Sequence, residues 1–481
     1  MRVDNSMFLL FLMGAVSCAL CFVLTPLVRN LSHRFGFLDL PDAARKTHTR
    51  PIPRVGGVAI ALAYAATFGL LALVPLHYTF LAQRHLELVW KLLPAAAVVF
   101  LTGLLDDLRG LKPWQKLLGQ CAAALLAYGS GVRVATIAGL HLGPWAGLAV
   151  SVVWLVGCTN AFNLIDGMDG LASGVGLFAT LTTLVAALLG RDLALALATA
   201  PLAGCLLGFL RFNFNPASIF LGDCGSLLIG FLLGSYGVIW SQKSATALAV
   251  TAPLIAMAIP LLDTGLAIFR RFLRHQPIFA ADRDHIHHHL LARGLTPRRV
   301  ALLLYAVGGI AATFSLLLSF PREHYAGAVI VLFCAVTWIG VQHLGYVEFG
   351  AAGRMLASGV LRRMVNAQIC LRTFEDVLSR AQTADECWKA LCTASKNFGF
   401  NRVRLRVADG EYEARFGDAP PESCWTLRVP IAESEYVEFA REFHSLVQPM
   451  LTTHFVDLVH TRLQARLREV EQGAGTTYSE V

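Results

Sequence analysis

Eleven apolar segments, each about 18 to 22 residues, dominate the first 345 residues. They lie near residues 7–27, 55–76, 88–105, 117–137, 145–163, 170–190, 192–212, 219–241, 246–268, 299–320 and 325–345. A segment of that length spans the hydrocarbon core of a bilayer as a helix, which satisfies every backbone polar group internally. Only 15% of residues are charged, against about 25% in a soluble globular domain. A soluble globular enzyme is therefore excluded for this part of the chain, and an all-α polytopic membrane protein is expected.

Charge sets the orientation. Lys and Arg gather in the loops after spans 1, 3, 5, 7 and 9, roughly seventeen of them between Arg29 and Arg299. The opposite loops hold about seven: Arg2, Arg84, Lys91, Arg133, Arg191, Lys243 and Arg322. The positive-inside rule places the first set in the cytoplasm, with the amino terminus outside and the carboxyl terminus inside. The net charge of +8 thus belongs to one membrane face, and no nucleic-acid partner is expected. The one CxxC, Cys18 and Cys21, falls in span 1, where thiols act as small hydrophobes.

Composition changes near residue 350. "GRMLASGVLRRMVNAQ" reads as a basic linker over 346–369, and residues 370–472 read as a cytoplasmic α+β domain. "TADECWKALCTASKNFG" has helical spacing, while "NRVRLRV", "CWTLRVPI" and "EYVEFAREF" are strand candidates before a terminal helix near 443–470. The pattern resembles a GAF-like sensory fold, although it is short of strands and carries no ligand motif. A scaffold or partner-docking module is the simpler reading. Residues 473–481 look like a disordered tail.

Five polar clusters interrupt the membrane body after spans 1, 3, 5, 7 and 9, all on the face assigned to the cytoplasm. Asp106 and Asp107 end span 3. Neighbouring helical side chains point about 100° apart, so one acid could bind a cation while the other handles a proton or substrate. Solvated acids at a span end are the alternative. Lys112 and Lys116 follow at i, i+4, suited to phosphate or to an ordinary interfacial place. In "NAFNLIDGMDG", Asn160, Asn163, Asp166 and Asp169 recur every third residue, which makes consecutive members neighbours on a helix. Amides with carboxylates could read a base, bind sugar hydroxyls or ligate a cation. Helix capping explains one acid but not the set.

Asp223 opens span 8 between Gly222 and Gly225, as a functional acid or an N-cap. Asn213 and Phe220 precede it, an amide and a ring that suit a nucleobase or simple packing. In "ADRDHIHHHL", His285, His288 and His289 share one helical face at i, i+3, i+4, with His287 turned away. Zinc would suit histidines alone. Five acids on the same face point instead to a hard, oxygen-liganded ion such as magnesium, with the histidines and Arg283 left for a phosphate or diphosphate. Lys46 and His48 lead into "PIPRVGG" with Arg45 and Arg50. Asp263, inside span 9, fits a helix-packing hydrogen bond better than a sixth site acid.

Taken in order, Asp106-Asp107, "NAFNLIDGMDGLASG", "FLGDCGS" and "HIHHHL" resemble the polyprenyl-phosphate N-acetylhexosamine-1-phosphate transferases, the WecA-type and MraY-type membrane family. The match runs over about residues 10–345. The resemblance implies ten or eleven spans and a cytoplasmic-facing site in a bacterial inner membrane. It implies transfer of a sugar 1-phosphate from a UDP-sugar to undecaprenyl phosphate, with magnesium (or manganese) as cofactor and UMP as product. It implies catalytic places for Asp106, Asp107, Asp223 and His288, with Asp223 and Asp107 toward the metal. Lys46, His48, Lys116, Asn163, Asp166, Asp169, Asn213, Phe220, Arg283, His285, His287 and His289 fall at substrate-binding places, and a homodimer is compatible with the family. "HIHHHL" after "ADRD" is similar to the WecA-type branch and so to a UDP-N-acetylglucosamine donor. The muramoyl-pentapeptide branch is the alternative. An ion-coupled transporter is a weaker one, because no inverted repeat is visible.

Overall fold

In a computed structural model of the chain, the structure describes residues 3–39, 51–73, 86–137, 140–243, 251–273, 285–318, 323–343, 360–407, 410–417, 420–432, 434–443 and 449–469. The chain divides into two compact units, Met1–Gly345 and Tyr346–Val481. The first is helical: α1 (Val3–Phe35), α2 (Gly56–Leu73), α3 (Glu87–Arg109), α4 (Pro113–Gly129), α5 (Pro144–Ile165), α6 (Leu171–Leu189), α7 (Leu193–Asn213), α8 (Gly222–Lys243), α9 (Thr251–Ala256), α10 (Ala258–Leu273), α11 (Ile286–Ala292), α12 (Pro297–Leu318) and α13 (Glu323–His343). Two short antiparallel strand pairs, β1 (Leu38–Asp39) with β2 (Ile52–Pro53) and β3 (Thr136–Ile137) with β4 (Leu140–His141), lie between successive helices in the chain.

Among the described residues, eight helices are long and apolar enough to cross a membrane: α1, α2, α3, α5, α6, α7, α8 and α12. The protein is a multi-pass membrane protein. The other three expected spans take different forms. Residues 117–137 fold as the 17-residue α4 followed by the β3–β4 strand pair. Residues 246–268 break at Met257 into α9 and α10. Within α13 the apolar run is Gly327–Gly340.

Local chemistry sets the helix ends. Pro113 and Pro144 stand at the first turns of α4 and α5, where a missing N–H costs nothing. The Asp192 carboxylate accepts from Leu195 N at 3.2 Å to start α7. Inside the helices, hydroxyls bond back to their own backbone, as Thr159 to Leu155 O at 2.7 Å and Thr180 to Gly176 O at 2.7 Å. Such bonds let polar side chains sit in an apolar bundle without an unsatisfied donor.

Helix α8 is the axis of the bundle. In its membrane-length window 89% of residues are buried, against 28% in α1. It packs on α2, α3, α5 and α6, while α1 lies along α7. The first turn of α8 meets its neighbours backbone to backbone. A Cβ added to Gly103 of α3 would stand 2.5 Å from Asp223 O. Gly222 has φ +74°, and a Cβ there would run into the backbone of Arg54.

The second unit is a two-layer α+β fold. Helices α14 (Val360–Arg380), α15 (Ala384–Asn397) and α16 (Pro449–Leu458) cover an antiparallel sheet of β5 (Arg402–Val407), β6 (Gly410–Arg415), β7 (Cys424–Pro430) and β8 (Tyr436–Glu442), in the order β6-β5-β8-β7. Alternation works as read: Val403 pairs with Phe439 and Leu405 with Val437, and these four form the core with Phe374, Leu391 and Phe455. The opposite face carries ion pairs, Arg404–Glu413 at 2.8 Å and Arg428–Glu438 at 2.9 Å. Strand β6, "GEYEAR", was not expected, because its residues are exposed or half-buried and show no apolar alternation. The segment read as a linker is already helical from Val360, and that helix runs through the expected boundary at 370. The terminal helix starts at Pro449, and the tail 473–481 lies outside the described residues.

The glycine seat makes a prediction. Gly103→Ala should destabilise the detergent-solubilised protein by about 1–3 kcal/mol through overpacking. Gly69→Ala, at a helical position with open space around it, should be neutral or slightly stabilising. Thermal unfolding of the two variants side by side reads the difference.

Candidate active site

The polar clusters meet at one end of the bundle. The carboxyl ends of α3, α5 and α7 and the amino ends of α2, α4, α6 and α8 all point there, so residues more than a hundred positions apart become neighbours.

Lys116, in the first turn of α4, lies between two acids. Its Nζ donates to Asp106 Oδ2 at 2.9 Å and to Asp223 Oδ2. Asp106 Oδ1 accepts from Leu111 N at 2.6 Å, which fixes the turn between α3 and α4. Asp107 points elsewhere, as the helical angle between neighbours requires. Its Oδ1 accepts from Asp223 N and its Oδ2 from Cys224 N, both at 2.9 Å. Asp107 therefore caps α8 from a neighbouring helix. Asp107, expected toward a metal, thus anchors the start of α8, and Asp106 stands beside Asp223. Arg54, which sequence reading had counted only as loop charge, donates from Nε and Nη2 to Asp107 O at 3.0 and 2.6 Å and holds the end of α3.

The Asp166–Gly170 turn closes a second side. Burial, then the charges of Asp223, Asp107 and Asp169, push the Asp166 carboxyl well above the usual carboxylate range. Asn163, half-buried, donates to Ser226 Oγ on α8 at 3.0 Å. Asn160 pairs with Gln120 of α4 instead, its Nδ2 2.6 Å from Gln120 Oε1. Asp169 Oδ2 accepts from Asn215 Nδ2 and Ala217 N at 3.0 and 2.9 Å, tying this turn to the loop after α7. Tyr305 of α12 donates to Gly170 O at 2.6 Å. Neither Tyr305 nor Ser173 was singled out in the sequence: Tyr305 sits in an apolar run, and Ser173 reads as a small helix residue following the acidic turn.

Asn213 differs from expectation. It is 2% exposed, accepts from Ser173 Oγ at 2.6 Å and donates to Ile219 O at 3.0 Å. Both halves of its amide hold the fold, one bond to each. Phe220 is half-buried beside the site, its backbone bonded to Pro53 and Gly56.

The histidines are also arranged differently. His285 is the residue before α11, with extended φ −68° and ψ 154°, so helical periodicity does not start until Ile286. His285 and His287 are both buried with parallel rings 5.8 Å apart, and the exposed His288 lies 4.2 Å from His287. His287, expected to face away, is the one packed against the acidic turn: a Cβ on Gly167 would stand 2.9 Å from its Nε2. That Nε2 is buried without a hydrogen-bond partner among the described residues. Half-buried His289 donates its backbone N–H to His285 O at 3.2 Å. Lys46, His48 and Arg283 lie outside the described residues.

The donor set suits a hard cation. Asp106, Asp107, Asp166 and Asp223 crowd together, and the Lys116 ammonium already occupies a cation's place between two of them. No group of three or more acidic, histidine or cysteine side chains is arranged to hold a metal among the described residues. Magnesium is commonly held by one or two carboxylates with substrate phosphates completing the shell, and the Asp106–Asp223 pair fits that pattern.

The sequence of this bundle has relatives. Residues 89–241 match the model described as glycosyl transferase family 4, a stretch that includes every site acid named above. A probable undecaprenyl-phosphate N-acetylglucosaminyl 1-phosphate transferase of Bacillus subtilis (strain 168) is 35% identical over 324 residues, 66% of this chain and 87% of that protein. The chain belongs to glycosyl transferase family 4. Other family relatives are an undecaprenyl-phosphate alpha-N-acetylglucosaminyl 1-phosphate transferase of Escherichia coli (strain K12), 26% identical over 63% of this chain and 83% of that one, and a phospho-N-acetylmuramoyl-pentapeptide-transferase of Levilactobacillus brevis, 31% identical over 54% and 82%. The family-4 assignment makes the protein a membrane transferase and sets aside the transporter.

Burial pushes the His287 imidazole down to about 4, with the neighbouring His288 charge adding to the shift. The folded state therefore holds His287 neutral, whereas the unfolded chain protonates it near pH 6.5. The stability this contributes is complete above pH 6.5 and is lost as pH falls from there toward 4, reaching about 2 kcal/mol at pH 5. His287→Gln should flatten that part of the acid-unfolding curve, followed by thermal midpoint at pH 7, 6 and 5.

Proposed function

We propose that this transferase moves an N-acetylhexosamine 1-phosphate, GlcNAc-1-phosphate foremost, from a UDP-sugar to undecaprenyl phosphate, releasing UMP. The site would lie at the cytoplasmic face of a bacterial inner membrane, where the reaction starts a cell-envelope polysaccharide. Three further crossings, by α4, the broken α9–α10 pair and α13, would bring the total to eleven and put the C-terminal unit in the cytoplasm, as a GAF-like sensory or docking module. The observation that carries the proposal is the Asp106–Lys116–Asp223 cluster at the end of an apolar bundle. It offers paired charge of both signs where a lipid phosphate and a nucleotide could meet. The names of the Bacillus and Escherichia relatives support the same transferred sugar phosphate and the same lipid acceptor.

In this reading a phosphate oxygen of the lipid attacks the β-phosphorus of the UDP-sugar. The new P–O bond forms as the bond to the bridging oxygen breaks, and UMP leaves with that oxygen and its electron pair. The lipid phosphate attacks through an oxygen that is already anionic, and Lys116 offsets the negative charge of two approaching anions. Asp223, with Asp106, would hold magnesium (or manganese), which when bound neutralises the diphosphate and stabilises the leaving group. Asn163, Asp166 and Asp169 border the nucleotide, and Phe220 offers it a ring. His288 and His289, with Lys46, His48 and Arg283, serve the diphosphate and sugar. The relative from Levilactobacillus favours a phospho-N-acetylmuramoyl-pentapeptide donor as the second reading.

Purified protein offered undecaprenyl phosphate with UDP-GlcNAc, UDP-GalNAc or UDP-MurNAc-pentapeptide should release UMP fastest with the first. A preference for the pentapeptide donor would install the second reading, and no UMP with any donor would refute both. Chelation should stop turnover and added magnesium restore it. Asp223→Asn should lower kcat by about 100-fold or more in protein that still unfolds cooperatively; wild-type turnover by that variant removes the metal assignment.

A further inference from the structure

Asp263, the single acid of α10, has 1% of its surface exposed, and both of its oxygens are engaged. Oδ2 lies 2.9 Å from His285 Nδ1, and Oδ1 accepts the Ile286 N–H at 2.8 Å. His285 itself is 5% exposed. A contact meant only to pack two helices does not need this. Burying a carboxylate costs several kcal/mol unless it is paired and fully hydrogen-bonded, and an amide or apolar residue packs without that cost. What a carboxylate on Nδ1 does supply is a fixed ring. It holds the proton on Nδ1, orients the imidazole, and makes the lone pair of Nε2 the available one in the neutral form.

The contact also leads somewhere. The His285 ring stacks parallel to that of His287, and His287 rests on Gly167 in the turn that carries Asp166 and Asp169. The Ile286 bond starts α11 at the same point, so one carboxylate sets both the first imidazole and the helix that carries the others. We propose that Asp263 is a positioning residue of the transfer reaction, acting through His285 to set its tautomer and the seating of the histidine turn against Asp166–Gly170. The inference rests on the transferase reading above.

A double-mutant cycle on the full chain tests it, with UMP release from UDP-GlcNAc and undecaprenyl phosphate as the readout. Asp263→Asn keeps size and one acceptor but offers an N–H₂ where an oxygen stood. It should lower kcat about tenfold or more while the donor KM changes less than about threefold. His285→Gln should cost at least as much, and the double variant should be no slower than His285→Gln alone, since Asp263 then has nothing left to position. Losses that multiply, or an Asp263→Asn enzyme with wild-type kcat, overturn the proposal and leave Asp263 a packing residue. If Asp263→Asn does not accumulate as folded protein, Asp263→Glu carries the same cycle by moving the carboxylate one methylene away. An inactive wild type overturns the transferase reading and this inference with it, whereas an active wild type with multiplicative losses overturns this inference alone.

Discussion

Both carboxylate oxygens of Asp107 bond the first turn of α8, and the site is assembled around that joint. The amino end of a helix carries partial positive charge and unsatisfied N–H groups, so a buried acid is stable there. Once α8 is capped from α3, Asp223 has one position relative to Asp106, one residue before the capping acid. Lys116 then meets both, because the turn that Asp106 Oδ1 stabilises returns the chain at the start of α4. Arg54 completes the joint by holding the carbonyl of the capping residue itself.

Around this joint the fold solves a conflict between solvent and charge. Apolar faces commit the helices to a bilayer, yet the chain brings several acids and imidazoles close together. Gathering them at helix ends satisfies both demands: backbone donors and turns supply partners that the middle of a span lacks. The turn at 166–170 shows the arrangement well. It is held by Tyr305 from one helix and by the loop after α7 through Asp169, so its acids are placed by two separate segments.

Much of this was legible in the residues. Apolar length announced the bundle, and polar clusters after alternate spans announced a shared face, because those signals are local in sequence. The division of labour inside the clusters was not. Asp106 and Asp107 look alike in a string, and only the three-dimensional seat of α8 separates a residue beside Asp223 from an anchor. Asn213 looks like a recognition group in the string, and only the structure shows that it also ties Ser173 to the Ile219 carbonyl. The histidines were misphased for a definite reason: the helical period was counted from His285, one residue before the helix begins. Tyr305 gave no signal at all, since a single tyrosine in an apolar helix resembles any other core residue. In the second unit, β6 was hidden by its lack of alternation, while β5, β7 and β8 stood out by theirs.

The contact of Gly103 with the backbone of Asp223 has a consequence for motion. Side chains packed between helices can change rotamer and so allow sliding, but main chain resting on main chain has no such slack. The two helices must therefore shift as one piece or not at all. The spacing of the acids on either side of that contact, Asp106 and Asp107 on α3 and Asp223 on α8, is thereby built into the main chain.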